Sequence, residues 1–143
     1  MRLIAIYIIM VSFLLCKNNN WDEVLKYSAY FGGIHVANAT LKSKQKTNSM
    51  NQKILSIEFR AKSKSTFKYI YAINDFITID VETETWEPIR VEKKLREGDY
   101  AHNSIAEFND SERIFIFKND TIPYPEKVMN PYSMIYFFRT QTL

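Results

Sequence analysis

Residues 54–61 read Ile-Leu-Ser-Ile-Glu-Phe-Arg-Ala, and the fold follows from their alternation. Leu55, Ile57, Phe59 and Ala61 fall on one side of an extended chain, and Ser56, Glu58 and Arg60 on the other. A period of two suits a strand in an antiparallel sheet with one packed and one wet face. The same rhythm runs upstream. Leu25, Tyr27, Ala29 and Phe31 share a face in 23–31, and Gly32-Gly33 is a hairpin turn. Residues 34–44 follow, with His35, Ala37, Ala39 and Leu41 on one side and Asn38, Thr40 and Lys42 on the other. Residues 46–51 are polar and read as a loop.

Downstream, Asn74-Asp75 marks a turn, and 76–81, Phe-Ile-Thr-Ile-Asp-Val, is β by composition. Pro88 favours a strand start, and Ile89, Val91 and Leu95 then alternate with charge up to Gly98. Residues 100–108 and 113–118 are two further strands, separated by Asn109-Asp110-Ser111. Residues 67–73 fit a short strand or a helical turn equally well. Residues 119–131 hold three of the prolines and read as a loop. Residues 131–139, Pro-Tyr-Ser-Met-Ile-Tyr-Phe-Phe-Arg, have helical spacing with Pro131 in the first turn, and are apolar nearly all round. The expectation is a mainly β chain of about seven antiparallel strands, in a sandwich or barrel, with a short C-terminal helix. That helix requires burial, and no segment after it is available to cover it.

Among 143 residues, 46% are hydrophobic and 24% charged, a composition that packs a core. Three glycines and one cysteine exclude a Gly-rich phosphate loop and a disulfide framework. Residues 1–16, MRLIAIYIIMVSFLLC, place Arg2 before an apolar run too short to span a bilayer and of the length of a signal-peptide core. The chain thus divides into a signal peptide, 1–16, and a β-rich domain, 17–143. Membrane contact is expected only through the N-terminal segment. Cys16 stands where a lipidated cysteine would, but Leu15 is larger than a lipobox allows. Basic and acidic residues interleave, as in Arg90-Val-Glu92-Lys93-Lys94-Leu-Arg96-Glu97, so no basic stripe suggests nucleic acid.

The chain carries no nucleophile elbow, HExxH or Walker loop. His35 and His102 lie on separate strands, both inward by alternation, and are better read as structural than as metal ligands joined by Glu107 and Asp110. Asp75 and Asp80 are the one carboxylate pair that could serve acid–base chemistry, against the commoner role of such residues in capping turns. No cofactor or metal is implied. Trp86, beside Pro88, reads as an anchor at a turn. Asn38-Ala-Thr40, Asn109-Asp-Ser111 and Asn119-Asp-Thr121 are sequons, weak signals in a chain rich in these residues. Aromatics at 15% are the positive hint. On the inner faces of a small β structure they fill it or line an apolar cavity, and Tyr27, Phe59, Phe76 and Phe108 are the candidate ligand-binding residues.

Glu23-Val-Leu25-Lys-Tyr27, Gly32-Gly33, Ala37-Asn-Ala39-Thr40, Asn74-Asp75-Phe76, Ile79-Asp80 and Glu87-Pro88 occur in an order that resembles an exported bacterial family, domain of unknown function 3108. Residues 131–140 are similar to that family's mid-domain Ser-x-x-Tyr-(aromatic)-x-Arg segment. The resemblance runs from about Trp21 to Leu143. It implies a bacterial periplasmic or envelope location and a β-rich sheet curved like a lipoprotein carrier or closed into a partial barrel. It implies no activity and no catalytic residues. It also implies further strands after the helix, so the chain reads as a C-terminally truncated member. The leading expectation is a non-catalytic envelope protein that binds a lipid, or an envelope lipoprotein, on a curved sheet. The alternatives are an interaction module packing against another envelope protein, marked by an exposed apolar patch without a cavity, and a hydrolase using Asp75 and Asp80.

Overall fold

The computed structural model describes residues 21–49, 51–124 and 126–140. The signal-peptide reading and Cys16 lie outside them. The described residues form eight antiparallel strands in one sheet, in sequential order. They are β1 (Glu23–Phe31), β2 (Ile34–Thr47), β3 (Lys53–Ser63), β4 (Asn74–Glu82), β5 (Pro88–Glu97), β6 (Tyr100–Asn109), β7 (Ile114–Phe117) and β8 (Asp120–Pro123). The sheet is open and curled, and a single helix, α1 (Pro131–Thr140), follows it. The β-class expectation holds, with one strand more than the sequence suggested. β8 lies in the proline-rich stretch read as loop. It is an edge strand and ends on Pro123, where a missing N–H costs nothing to the ladder.

The register makes the two faces explicit. Leu25, Leu41, Phe59 and Ile77 stand side by side across β1 to β4, as do Ser43, Ile57, Ile79 and Val91 across β2 to β5. These rows hold the buried residues Leu41, Ile57, Ile77, Ile79 and Val91. The other face is a charge ladder: Lys42 and Arg60 flank Glu58, and Arg90 links Glu92 to Glu107. Such exposed pairs keep the face wetted and add little stability.

Residues 64–71 resolve as a helical turn, with Lys68 N donating to Lys64 O (2.9 Å) and Tyr71 N to Phe67 O (3.0 Å). Gly32 and Gly33 both have positive φ (56° and 82°), which a tight hairpin of primed type demands.

The expectation that the helix lacks a cover is corrected. α1 lies on the inner face of the curled sheet, with Ser133 and Tyr136 fully buried. The sheet curls back over the helix, so the covering layer comes from strands that precede it in sequence. Trp21 meets Trp86 and Tyr136 edge-on at 5.8 and 6.0 Å, Trp86 meets Phe137 at 6.2 Å, and Tyr132 tilts over Phe59 at 5.0 Å. Trp86 is a buried anchor at the β4–β5 turn. Only Ile135 and Phe138 leave large apolar side chains of α1 exposed. Asn130 caps the helix: its Oδ1 accepts from Tyr132 N (3.0 Å), and its carbonyl from Met134 N and Ser133 Oγ.

An ion-pair network fixes the approach to the helix. Arg113 donates to both carboxylate oxygens of Glu87 (3.0 and 3.3 Å), and Glu87 also accepts from Val128 N (3.3 Å). Arg113 also pairs with Asp110 and lies 4.4 Å over the Tyr124 ring. The network joins the β4–β5 turn, the β6–β7 turn and the segment leading into α1.

Candidate inner-face site

α1 fills only part of the inner face. Its N-terminal end sits over Phe59 and its C-terminal end reaches Glu23 through Arg139. Beyond Phe59 the next rows of the register are Tyr27, Ala39, Ala61 and Asp75, then Ala29, Ala37 and Ser63. Leu95 and His102 continue the first of these rows across β5 and β6. Ala37, Ala39, Ala61 and Leu95 are only partly buried, and Tyr27 is half exposed. The register thus lines a strip of the inner face with methyl groups, a trough bordered by Tyr27 on one side, by Leu95 and His102 on the other, and by the Phe59–Tyr132 pair where α1 begins.

Polar groups gather at one part of this trough. Asp75 Oδ1 accepts from Arg96 N at 2.9 Å. Glu97 lies beside Asp75, whose negative charge and hydrogen bond push its carboxyl above the usual range. Burial and the charge of Asp75 raise the Tyr132 phenol. Asp75, Glu97 and Tyr132 therefore form a polar end to an otherwise apolar floor.

The candidate residues from sequence divide. Tyr27 and Phe59 border the trough. Phe108 is on the same face but at the other end, stacked on Phe115 (5.4 Å) and edge-on to Tyr124 (5.7 Å). Phe76 is on the opposite face, paired in register with Arg60 and Lys94, whose charges lie 4.4 and 5.9 Å from its ring centre. Its parity with Thr78 and Asp80 contained that information. The alanine floor was also legible as Ala37-x-Ala39 and Ala61, but small residues on a strand carry no signal until the covering helix is placed.

Asp75 and Asp80 do not converge. They are five residues apart on one strand, hence on opposite faces: Asp75 stands beside Ala61 in the trough, while Asp80 stands between Ser56 and Arg90. The two histidines are separated as well. A bulge at the start of β2 pairs Ala29 with Ala37 but Tyr30 with His35, which reverses the side His35 takes. His35 stacks on Tyr30 at 5.0 Å and bonds Asn38 Oδ1 through Nε2 (2.7 Å), while His102 stays on the trough face, stacked on Tyr100 at 6.1 Å. The inward reading of both histidines is thus corrected for His35. Among the described residues no group of three or more His, Cys, Asp or Glu could hold a metal ion, and no helix is long and apolar enough to cross a membrane.

A search of curated proteins and of solved structures found no match. The family model described as "Protein of unknown function (DUF3108)" matches residues 26–143. The chain belongs to that family.

Proposed function

We propose that this DUF3108 member is an exported, non-catalytic protein of the bacterial envelope that holds an apolar or lipidic ligand in the trough on its inner sheet face. The alanine floor left open beside α1 carries this reading. Four small side chains in neighbouring strands, at a spacing of about 4.8 Å per strand, leave room above the sheet that larger residues would fill. Tyr27, Leu95 and the Phe59–Tyr132 pair supply apolar walls. Asp75, Glu97 and Tyr132 suit the polar head of an amphiphile. The leader-like segment 1–16 supports export. The lack of convergence between Asp75 and Asp80 favours a binding role over hydrolysis.

An acyl-chain fluorophore titrated into the purified chain tests the reading. Saturable emission enhancement is expected, lost in Ala39→Trp, where an indole would occupy the floor. Enhancement that is absent, or unchanged in Ala39→Trp, removes the trough as the site.

A further inference from the structure

The two ends of the sheet differ in character. At one end the turns carry Asn48, Gln52, Glu84, Asp110 and Glu112. At the other, three connections meet: the β1–β2 hairpin, the 64–73 segment and the β5–β6 turn. Lys64 N donates to Val36 O (2.8 Å), Gly98 N donates to Ala72 O (2.7 Å), and Ile73 bridges to Glu97. Gly98 packs against Tyr71 so closely that a Cβ there would lie 3.3 Å from the ring. These contacts make one continuous rim.

The rim displays large apolar side chains to solvent. Phe31 is 74% exposed, Tyr69 84% and Ile70 76%. Tyr30, Ile34 and Tyr100 are more than half exposed beside them. Tyr69 and Ile70 project from the 64–71 turn, and Tyr30, Phe31, Ile34 and Tyr100 stand at strand ends, so a soft partner that side chains can enter suits them better than a rigid protein surface. The tyrosines match the water–hydrocarbon boundary, where an apolar ring and a polar hydroxyl are both satisfied. The 64–73 segment also carries positive charge without acid, Lys64 and Lys68, with Lys68 Nζ 5.1 Å over the Tyr69 ring, while the β1–β2 hairpin has no Lys, Arg, Asp or Glu. Glu97 and Asp99 are confined to the third.

We infer that this rim docks on the surface of an anionic lipid bilayer, with Phe31 and Ile70 entering the acyl boundary and Lys64 and Lys68 lying among the headgroups. This adds a membrane contact to the one expected of the N-terminal segment. It stands whether or not the trough holds a ligand, although the upper rows of the trough open onto the rim.

Single-tryptophan additions in the full chain, Phe31→Trp and Ile70→Trp, test it with vesicles of brominated phosphatidylcholine containing phosphatidylglycerol. Ile116→Trp, on the wet face and 45% exposed, is the control. Emission from the two rim variants, read against the wild-type background of Trp21 and Trp86, is expected to be quenched on vesicle addition, and that of the control is not. Partitioning should fall about five-fold for each lysine neutralised in Lys64→Gln and Lys68→Gln, since each contributes about that factor at an anionic surface. Vesicle binding without rim quenching would show insertion through the N-terminal segment alone and overturn the proposal. So would equal quenching of Ile116→Trp, the absence of binding, or equal partitioning into vesicles of phosphatidylcholine alone.

Discussion

Tyr136 concentrates the packing of the molecule in one side chain. Its ring is fully buried among Trp21 and the inner sheet face, while its hydroxyl makes no hydrogen bond of good geometry among the described residues, with Ser43 Oγ, which donates to the Trp21 carbonyl, beside it. The ring therefore carries the stabilisation and the hydroxyl does not. Tyr136→Phe is expected to change stability by less than about 1 kcal/mol, and Tyr136→Ala to cost about 3–5 kcal/mol, measured by urea unfolding. The carboxylates make a second test. In Asp75→Asn the Arg96 N–H keeps an acceptor while the charge beside Glu97 disappears. NMR titration should then show the Glu97 pKa moving down to the usual carboxylate range. Because Glu97 is raised in the folded state, its repulsion with Asp75 is absent at low pH and weakens the fold as pH rises through its folded value. Asp110 and Glu92 have the opposite sign. The hydrogen bonds of Asp110 to Glu87 and Arg113, and of Glu92 to Lys94 and Arg90, hold their pKa values down. Their contribution is full above the ordinary carboxylate range and is lost on acidification below about pH 4.

Among the elements, the central strands carry the stability. Ile57 and Ile79 face each other in register with no exposed surface. Ile79→Ala should cost about 2–5 kcal/mol in the same unfolding measurement, because curled strands packed under a helix collapse poorly around a cavity. These strands were also the most legible in sequence. Residues 55–61 alternate because one face is dry and the other is a charge ladder, and 76–81 are legible as β by composition, with the apolar Phe76 on the charged face. Legibility fails where tertiary context acts. The bulge that turns His35 outward inserts Val36 without breaking the polar–apolar pattern. β8 forms because β7 offers it an edge, not because 120–123 favours a strand. The helix looked uncovered because its cover is assembled from β1 to β5, and a one-dimensional reading searches for it further along the chain. Glu87 and Arg113 gave no warning either: they are 26 residues apart and meet only after the β4–β5 and β6–β7 turns are placed.

At the scale of the whole molecule, the described residues form an open meander with one helix and two unequal inner regions. One is filled by α1 and two tryptophans, and the other is a methyl-floored trough leading to an aromatic rim. The family assignment leaves the ligand open, and the occupant proposed is an apolar body on the methyl floor with a polar head near Asp75 and Glu97. Native mass spectrometry of the full chain after exposure to an envelope lipid extract tests this most directly, with Ala61→Trp as comparison. The wild-type protein is predicted to carry discrete lipid masses that are absent from Ala61→Trp at matched stability. Lipid masses equal in the two proteins, or none in the wild type, would contradict the account.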